Sequence, residues 1–369
     1  MTKRALRVGV VFGGRSVEHK VSVVSARTVA SALTDGGHSV VPLGVAEDGC
    51  WLDPSVAGRA LDPATGVDAL AATGGSVRAS LEHLVRAEVD AIFPIVHGTW
   101  GEDGTLQGLC EMLDLPYVGA DVTASAVCMD KVLCKQVLAA AGLPVVDGEV
   151  FDDALSLEDL DRCGRLGLPV FVKPSVGGSS VGVTKVTCWD DLGAAVEQAL
   201  RFADRALVER AVVGRELECA VLGVPAADGG GLEASGIGEI VPGADFYDYA
   251  DKYIDDGAQL VHAAELTAEQ EEQLRRRAVD AFAAVGGEGM ARVDFLMGHA
   301  EDGESEAFIN EINTLPGFTS ISMYPKLWQV AGLDTAGLVD RLVGLAMERH
   351  RTRRSLDQGI KSWIASLAG

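Results

Sequence analysis

Two short segments in the C-terminal third constrain the fold most: Ala291-Arg292-Val293-Asp294-Phe295 and Phe308-Ile309-Asn310-Glu311-Ile312-Asn313. Both alternate apolar and polar residues, the pattern of a strand with one buried face. Because strand side chains alternate, Arg292 and Asp294 share one face, and so do Glu311 and Asn313. If the two strands are neighbours, four polar groups converge. Asp294, Glu311 and Asn313 are hard oxygen donors suited to magnesium carrying substrate phosphates, with no histidine or cysteine to favour zinc. Arg292 is then left free to face an anion. A merely solvated strand face would show the same alternation. What distinguishes this one is the run Leu315-Pro316-Gly317-Phe318-Thr319-Ser320 that follows, a turn able to aim backbone N–H groups at a developing oxyanion.

A second constellation is Lys173-Pro174-Ser175-Val176-Gly177-Gly178-Ser179-Ser180-Val181-Gly182. Glycines let the backbone approach phosphate oxygens, and serines can donate hydrogen bonds to them. The segment is no Walker A loop, since no lysine follows the glycines and it joins two strands instead of opening a helix. Gly13-Gly14 after the first strand likewise lacks the G-x-G-x-x-G fingerprint, which argues against a dinucleotide site. Lys131 and Lys173 can offer cations to phosphates, while Glu209 and Glu216 suit an adenine amino group and ribose hydroxyls. An ion contact at 4 Å is worth about 1 kcal/mol in bulk water and roughly 4 in a partly closed site, so enclosure decides whether these charges matter.

The first part of the chain alternates β-branched runs with helical patterns: Arg7 to Phe12, a helix near Glu18 to Leu33, His38 to Val45, then Val77 to Arg86 and Ala91 to Val96. This predicts an open parallel α/β domain. Apolar residues recur at helical spacing from Ala124 to Ala141, and Gly142 and Pro144 end that helix. The strands Pro169 to Lys173 and Gly182 to Val186 flank the Gly/Ser loop, which predicts a flexible flap; a helix near Asp190 to Ala203 and the strand Ala206 to Arg210 follow. Beyond lie the strand Glu216 to Leu222 and a helix opened by the capping-box pair Thr267 and Gln270. After the two polar-faced strands, a last helix is expected near Thr335 to Arg349.

At 369 residues the chain suits two or three domains. No apolar run approaches the roughly 18 residues that span a bilayer, so a cytoplasmic protein with no membrane partner is expected. The seven cysteines are odd in number and lack Cys-x-x-Cys spacing, which points to buried free thiols instead of disulfides or zinc. A net charge of -23 argues against an extended nucleic-acid surface. It does not exclude a nucleotide, because screening lets a few local cations dominate one pocket. The basic run His350 to Arg354 reads as a solvated helix terminus.

Together these residues closely resemble the D-alanine–D-alanine ligases of the ATP-grasp superfamily, over nearly the whole chain. The matching segments are GGRSVEHKVSVVSA from Gly13, HGTWGEDGTLQGL from His97, PYVGADVTASAVCMDK from Pro116, VKPSVGGSSVG from Val172, GRELECAVLG from Gly214, FYDYADKY from Phe246, ARVDF from Ala291 and NEINTLPGFTSISMYP from Asn310. The resemblance implies an α/β and α+β, three-domain ATP-grasp architecture: an N-terminal open parallel α/β domain over 1–121, a central domain with the flap over 122–212, and a C-terminal domain with the metal site over 213–369. It implies that Glu18 pairs with the ammonium of the first D-alanine, with His97 near its carboxylate. Ser179 and Tyr253 would link to Glu18 as two loops close, with Lys252 beside them. ATP would be held by Lys131, Lys173, Ser180, Glu209, Val212 and Glu216. Asp294, Glu311 and Asn313 would hold two Mg2+ ions, with Mn2+ a substitute and a K+ requirement left open. Arg292 and the Gly317 backbone would stabilise the tetrahedral intermediate, and Ser322 and Met323 would receive the second substrate's carboxylate.

The partners so implied are D-alanine, ATP and a second copy in a homodimer. A ligase of the same fold making D-alanyl-D-lactate or D-alanyl-D-serine is the nearest rival; the intact FYDYADKY loop argues against lactate. Lys20 stands where relatives more often carry an acidic or small residue. Gly223 to Gly236 reads as a surface insertion, and the segment after Arg349 is longer than the family's usual ending.

Overall fold

The computed structural model describes residues 4–225, 231–241, 259–299 and 305–367. Arg7–Gly13 (β1), Ser39–Val45 (β2) and Ala91–Pro94 (β3) form a parallel sheet in the order β2-β1-β3. β1 is buried from Val8 onward because it is central and covered on both faces, which explains a continuous apolar run where an edge strand would alternate. The helix His19–Asp35 lays Val23, Ala26, Val29 and Leu33 on one face of this sheet, in one core with Val8, Val10 and Phe12. Val11, Leu43, Ile92 and Tyr117 fill the other face.

Gly148–Phe151 (β4), Val170–Pro174 (β5), Thr184–Val186 (β6) and Ala206–Arg210 (β7) form an antiparallel sheet in the order β4-β7-β5-β6. It has a core of its own, with Phe151, Val170, Val172 and Val208 packed against Val196 of the helix Leu192–Ala199. That helix is shorter than expected, because the chain enters it through a 3-10 turn over Trp189–Asp191.

Gly214–Gly223 (β8), Leu232–Val241 (β9), Gln259–Val261 (β10), Gly289–His299 (β11) and Ser305–Asn313 (β12) build a five-stranded antiparallel sheet in the order β10-β9-β8-β11-β12. The helix Ala268–Ala284 covers it, and both bonds of the Thr267/Gln270 capping box are made. Of the stretch Gly223 to Gly236, expected to be a surface insertion, the part from Leu232 is β9, paired with β8, where Ser235 Oγ accepts the Ala220 N–H at 3.0 Å.

The helix expected from Ala124 to Ala141 is two helices, Val122–Met129 and Lys131–Ala140. Asp130 breaks it. Its backbone is extended (φ −91°, ψ 104°) and its carboxylate accepts the N–H groups of Val132 and Leu133, both at 3.0 Å, as an N-cap. Side-chain capping here outweighs the unbroken apolar periodicity. Ala124, Cys128, Cys134 and Leu138 of the two helices enter the core of the five-stranded sheet.

The last helix runs from Thr335 to Leu367, well past Arg349. The basic run is therefore no terminus. His350 and Arg354 pair with Asp114 at 2.8 and 3.6 Å, and Arg353 pairs with Glu111 and Asp121, so these side chains bind the helix to the N-terminal region. Arg349, buried, donates to the carbonyls of Gly119 and Tyr117, each at 2.6 Å. All seven cysteines are free; six are buried and Cys188 is exposed. Among the described residues no helix is long and apolar enough to cross a membrane.

Candidate active site

β11 and β12 are neighbours, with Arg292 opposite Asn313 and Asp294 opposite Glu311. On its other edge β11 pairs with β8, which sets Glu218 opposite Asp294. Three carboxylates, Glu218, Asp294 and Glu311, thus form a row across three strands. Beyond Asp294 the register slips, so that Phe295 faces Ile309 and Asn310 is the extra residue of a bulge. The bulge lets the consecutive residues Asn310 and Glu311 both line the cavity above the sheet, while Ile309 stays fully buried in the core beneath it.

Arg292 is not free, contrary to expectation. Its Nε and Nη2 donate to Asp294 at 2.7 and 2.6 Å, and Nε lies 3.0 Å from Glu218. A row of carboxylates needs counter-charge, and the guanidinium in their midst provides it. Burial alone would lower the Arg292 pKa, but Asp294 and Glu218 outweigh it and hold it well above the usual arginine range. Glu311 meets a different cation, Lys131 Nζ, at 3.3 Å.

Lys131 owes its place to the break at Asp130, which makes it the first residue of its helix. Its N–H donates to Ser175 O at 2.7 Å and its ammonium to Gly177 O at 2.8 Å, tying the helix to the Gly/Ser hairpin. That hairpin joins β5 and β6 as expected of a flap. Gly177 (φ 125°), Ser179 (φ 52°) and Ser180 (φ 58°) all have left-handed backbone, unusual for the two serines. The Ser179 hydroxyl donates to Glu18, at the start of the helix His19–Asp35, so the flap reaches the N-terminal region.

On the flap's own sheet, Glu209 lies between two ammonium groups, Lys173 at 2.7 Å and Lys135 at 2.6 Å. Burial would raise the Glu209 pKa, yet the two cations pull it down to about 2. Lys173 also donates to Asn310 Oδ1 at 3.2 Å; burial opposes its charge, but Glu209, Glu311 and Glu216 raise its pKa overall. Lys135 goes the other way, lowered first by burial despite Glu209.

At the far end of the cavity His97 is buried, with Nδ1 3.1 Å from Leu315 O and Nε2 3.2 Å from Ser25 Oγ. Burial would lower its pKa, but Glu102, 3.5 Å away, together with Glu18 and the Leu315 carbonyl raises it. Burial and the nearby Glu18 charge push Glu102 upward in turn. The turn after β12 packs tightly: a Cβ on Gly317 would come within 2.8 Å of Ser322 Oγ. Thr319 N donates to that hydroxyl at 2.9 Å, and Phe318 N is occupied by Ser25 Oγ at 3.2 Å. Met323, buried, opens the helix Met323–Val330.

These groups enclose a cavity of about 760 Å3, lined among others by Glu18, His97, Lys131, Ser179, Glu216, Arg292, Asp294, Glu311, Asn313, Gly317, Ser322 and Met323. A smaller cavity of about 100 Å3 under the flap adds Lys173 and Ser180. Glu209 and Val212 line neither: Glu209 is enclosed by its lysines, and Val212 packs near Gly298. Lys252 and Tyr253 lie outside the described residues. Lys20 lines the cavity rim and pairs with Asp68 at 2.9 Å. The sequence reading missed Glu218, Lys135, Asn310 and Glu102.

Among the described residues no three His, Cys, Asp or Glu side chains already surround one point. The donors still suit a hard divalent cation: carboxylates on Asp294 and Glu311 and an amide on Asn313, at facing positions of adjacent strands, beside room for the phosphate and water oxygens that usually complete magnesium's shell. Chemically, the cavity pairs an oxygen-donor row on one wall with cations and a backbone flap on the other. A polyanion bridging the two would meet opposite charge from both the protein and a bound cation.

Comparison with known proteins agrees with this geometry. A profile described as the D-ala D-ala ligase N-terminus matches residues 7–120, and one described as the D-ala D-ala ligase C-terminus matches residues 137–344. The chain is 44% identical to a D-alanine–D-alanine ligase of Mycolicibacterium smegmatis over 367 residues, covering 93% of this chain and 96% of the relative. Against D-alanine–D-alanine ligase A of Escherichia coli it is 45% identical over 368 residues, covering 95% and 98%. The solved D-alanine–D-alanine ligase of Coxiella burnetii superposes with a TM-score of 0.82 at 35% identity, covering 98% of this chain and 100% of that one. The VanG D-Ala:D-Ser ligase of Enterococcus faecalis gives 0.76 at 32% identity, covering 93% and 100%.

Proposed function

Because the chain belongs to the D-alanine–D-alanine ligase family, we propose that it joins two D-alanine molecules into D-alanyl-D-alanine with ATP, for peptidoglycan precursors. A carboxylate is a poor electrophile. The γ-phosphoryl group of ATP therefore passes to a carboxylate oxygen of the first D-alanine, giving a D-alanyl phosphate and ADP. The amine of the second D-alanine attacks that carbonyl carbon, and inorganic phosphate leaves. One observation carries the reading: the Asp294–Glu311 pair faces the Gly177-Gly178 flap across a cavity that also holds Glu18.

In this reading Glu18 pairs with the ammonium of the first D-alanine, with His97 close to its carboxylate. Lys131, Lys173 and the Ser180 turn take the phosphates, Glu216 the ribose and Val212 the adenine end, while Glu209, which lines neither cavity, stays behind Lys173. Asp294, Glu311 and Asn313 would hold Mg2+, for which Mn2+ could substitute, and such a cation would supply positive charge beside the transferring phosphoryl group. Arg292 and the Gly317 backbone stand where the tetrahedral oxyanion forms, and Ser322 and Met323 receive the second carboxylate. Tyr253 and Lys252 belong to the loop expected to close against Ser179. Residues 1–121, 122–212 and 213–369 act as three domains of a cytoplasmic homodimer.

Mass spectrometry of products from ATP, Mg2+ and a mixture of D-alanine, D-serine and D-lactate tests this directly. D-alanyl-D-alanine is the expected main product at neutral pH. A dominant depsipeptide or a D-alanyl-D-serine product would reject the assignment of the second substrate; no ADP formation with any acid would reject the ligase reading.

A further inference from the structure

Lys135 has no part in the chemistry described so far, yet it is buried beside that chemistry. It lies one helical turn beyond Lys131, with its ammonium 2.6 Å from Glu209 Oε1, while Lys173 holds Glu209 Oε2 at 2.7 Å. Glu209 and Lys135 are 1% and 8% exposed, so water cannot balance their charges. Two cations on one carboxylate leave a net positive charge, which a single Lys–Glu pair would not. Only one of the two cations lines the cavity beneath the flap: Lys173 does, and Lys135 does not.

We propose that Lys135 is a positioning residue for the nucleotide phosphates, acting through Glu209 and Lys173. Lys135 keeps the buried Glu209 carboxylate compensated, so that the Lys173 ammonium can turn from Glu209 toward phosphate oxygens under the flap. Without Lys135, that movement would strand a buried carboxylate, and Lys173 would stay where it is. Asn310, whose Oδ1 accepts from Lys173 at 3.2 Å while Lys173 also holds Glu209, lines the cavity under the flap and so marks the direction of that turn. The proposal rests on the ATP reading above and extends it to a residue that does not touch the nucleotide.

The test compares ADP with adenosine by calorimetric titration in the presence of Mg2+, on wild type, Lys135→Gln and Lys135→Arg, with a melting curve for each. The expected result is that Lys135→Gln weakens ADP about tenfold and leaves adenosine within about twofold, because only phosphates need the freed ammonium. Lys135→Arg, which keeps the charge, should bind ADP within about threefold of wild type. Unchanged ADP affinity in folded Lys135→Gln, or equal weakening of ADP and adenosine, overturns the proposal. Should Lys135→Gln fail to fold, the arginine variant decides: a folded Lys135→Arg that loses ADP tenfold overturns it as well. Wild type that binds no ADP would instead refute the ATP reading.

Discussion

The two walls of the cavity solve the same electrostatic problem with opposite signs. On the flap side one carboxylate, Glu209, is shared by two ammonium groups, Lys135 and Lys173. On the sheet side one guanidinium, Arg292, is shared by two carboxylates, Asp294 and Glu218. The first triad carries a net positive charge and the second a net negative one. Each is thus complementary to what the proposed reaction brings against it, a polyphosphate on one side and a divalent cation on the other. The two differ in depth: on the flap side Lys173 lines a cavity with Glu209 and Lys135 behind it, so that the front group can change partners while the buried charge stays matched, whereas Arg292, Asp294 and Glu218 all line the large cavity.

If that contrast is right, the largest effect should come from the sheet side, in Glu311→Ala. D-alanine-dependent phosphate release should fall on the order of a thousandfold, since a cation ligand and the partner of Lys131 both disappear. Activity near wild type would move the metal site elsewhere.

Arg292→Met should lower kcat by about a hundredfold. It should also destabilise the fold by about 3 kcal/mol, because the buried Glu218 carboxylate loses its cation. A chemical-denaturation curve that matches wild type would show that the sheet-side triad is not the mirror of the flap-side one.

Glu218→Gln separates the two carboxylates that share Arg292. With only Asp294 left to neutralise it, Arg292 should compete harder with the divalent cation. Half-saturation by Mg2+, and binding of Mn2+ followed by electron paramagnetic resonance, should weaken about tenfold, whereas kcat at saturating metal changes little. Equal metal affinity with a lower kcat would assign Glu218 to the reaction itself.

The smallest effect concerns pH. Glu209 titrates at about 2 in the fold against an ordinary 4.5, so its contribution to stability is present above pH 4.5 and lost as pH falls toward 2. Glu209→Gln should therefore flatten the acid limb of the stability profile in that window. An acid limb of unchanged steepness would mean that the two lysines do not hold the carboxylate as described.

The parts of this arrangement that repeat at short range were legible beforehand. Alternation in Ala291 to Phe295 exposed the polar face of β11, and the small residues after Lys173 marked the hairpin between β5 and β6. What escaped notice depends on register or on burial. The bulge at Asn310 leaves no local mark, because it exists only against Asp294 and Phe295 of the neighbouring strand. Lys135 and Glu218 look in sequence like any charge on a helix or strand; their roles follow from partners 74 and 74 positions away in the chain. The break at Asp130 carries a signal, an aspartate ahead of Val132 and Leu133, but the apolar periodicity running through it points to one helix. The opposite holds at Arg349, where the helix continues through a basic run whose partners, Asp114 and Glu111, lie far away in the chain.

The hydroxyl of Ser179 rests on Glu18, the very carboxylate assigned to the incoming amine. An ammonium settling on the same carboxylate would share Glu18 with the hairpin's anchor, and whatever lifts the hairpin removes that shared contact. Amino-acid arrival and nucleotide dwell time then become reciprocal quantities: raising one ligand's concentration should alter how long the other remains.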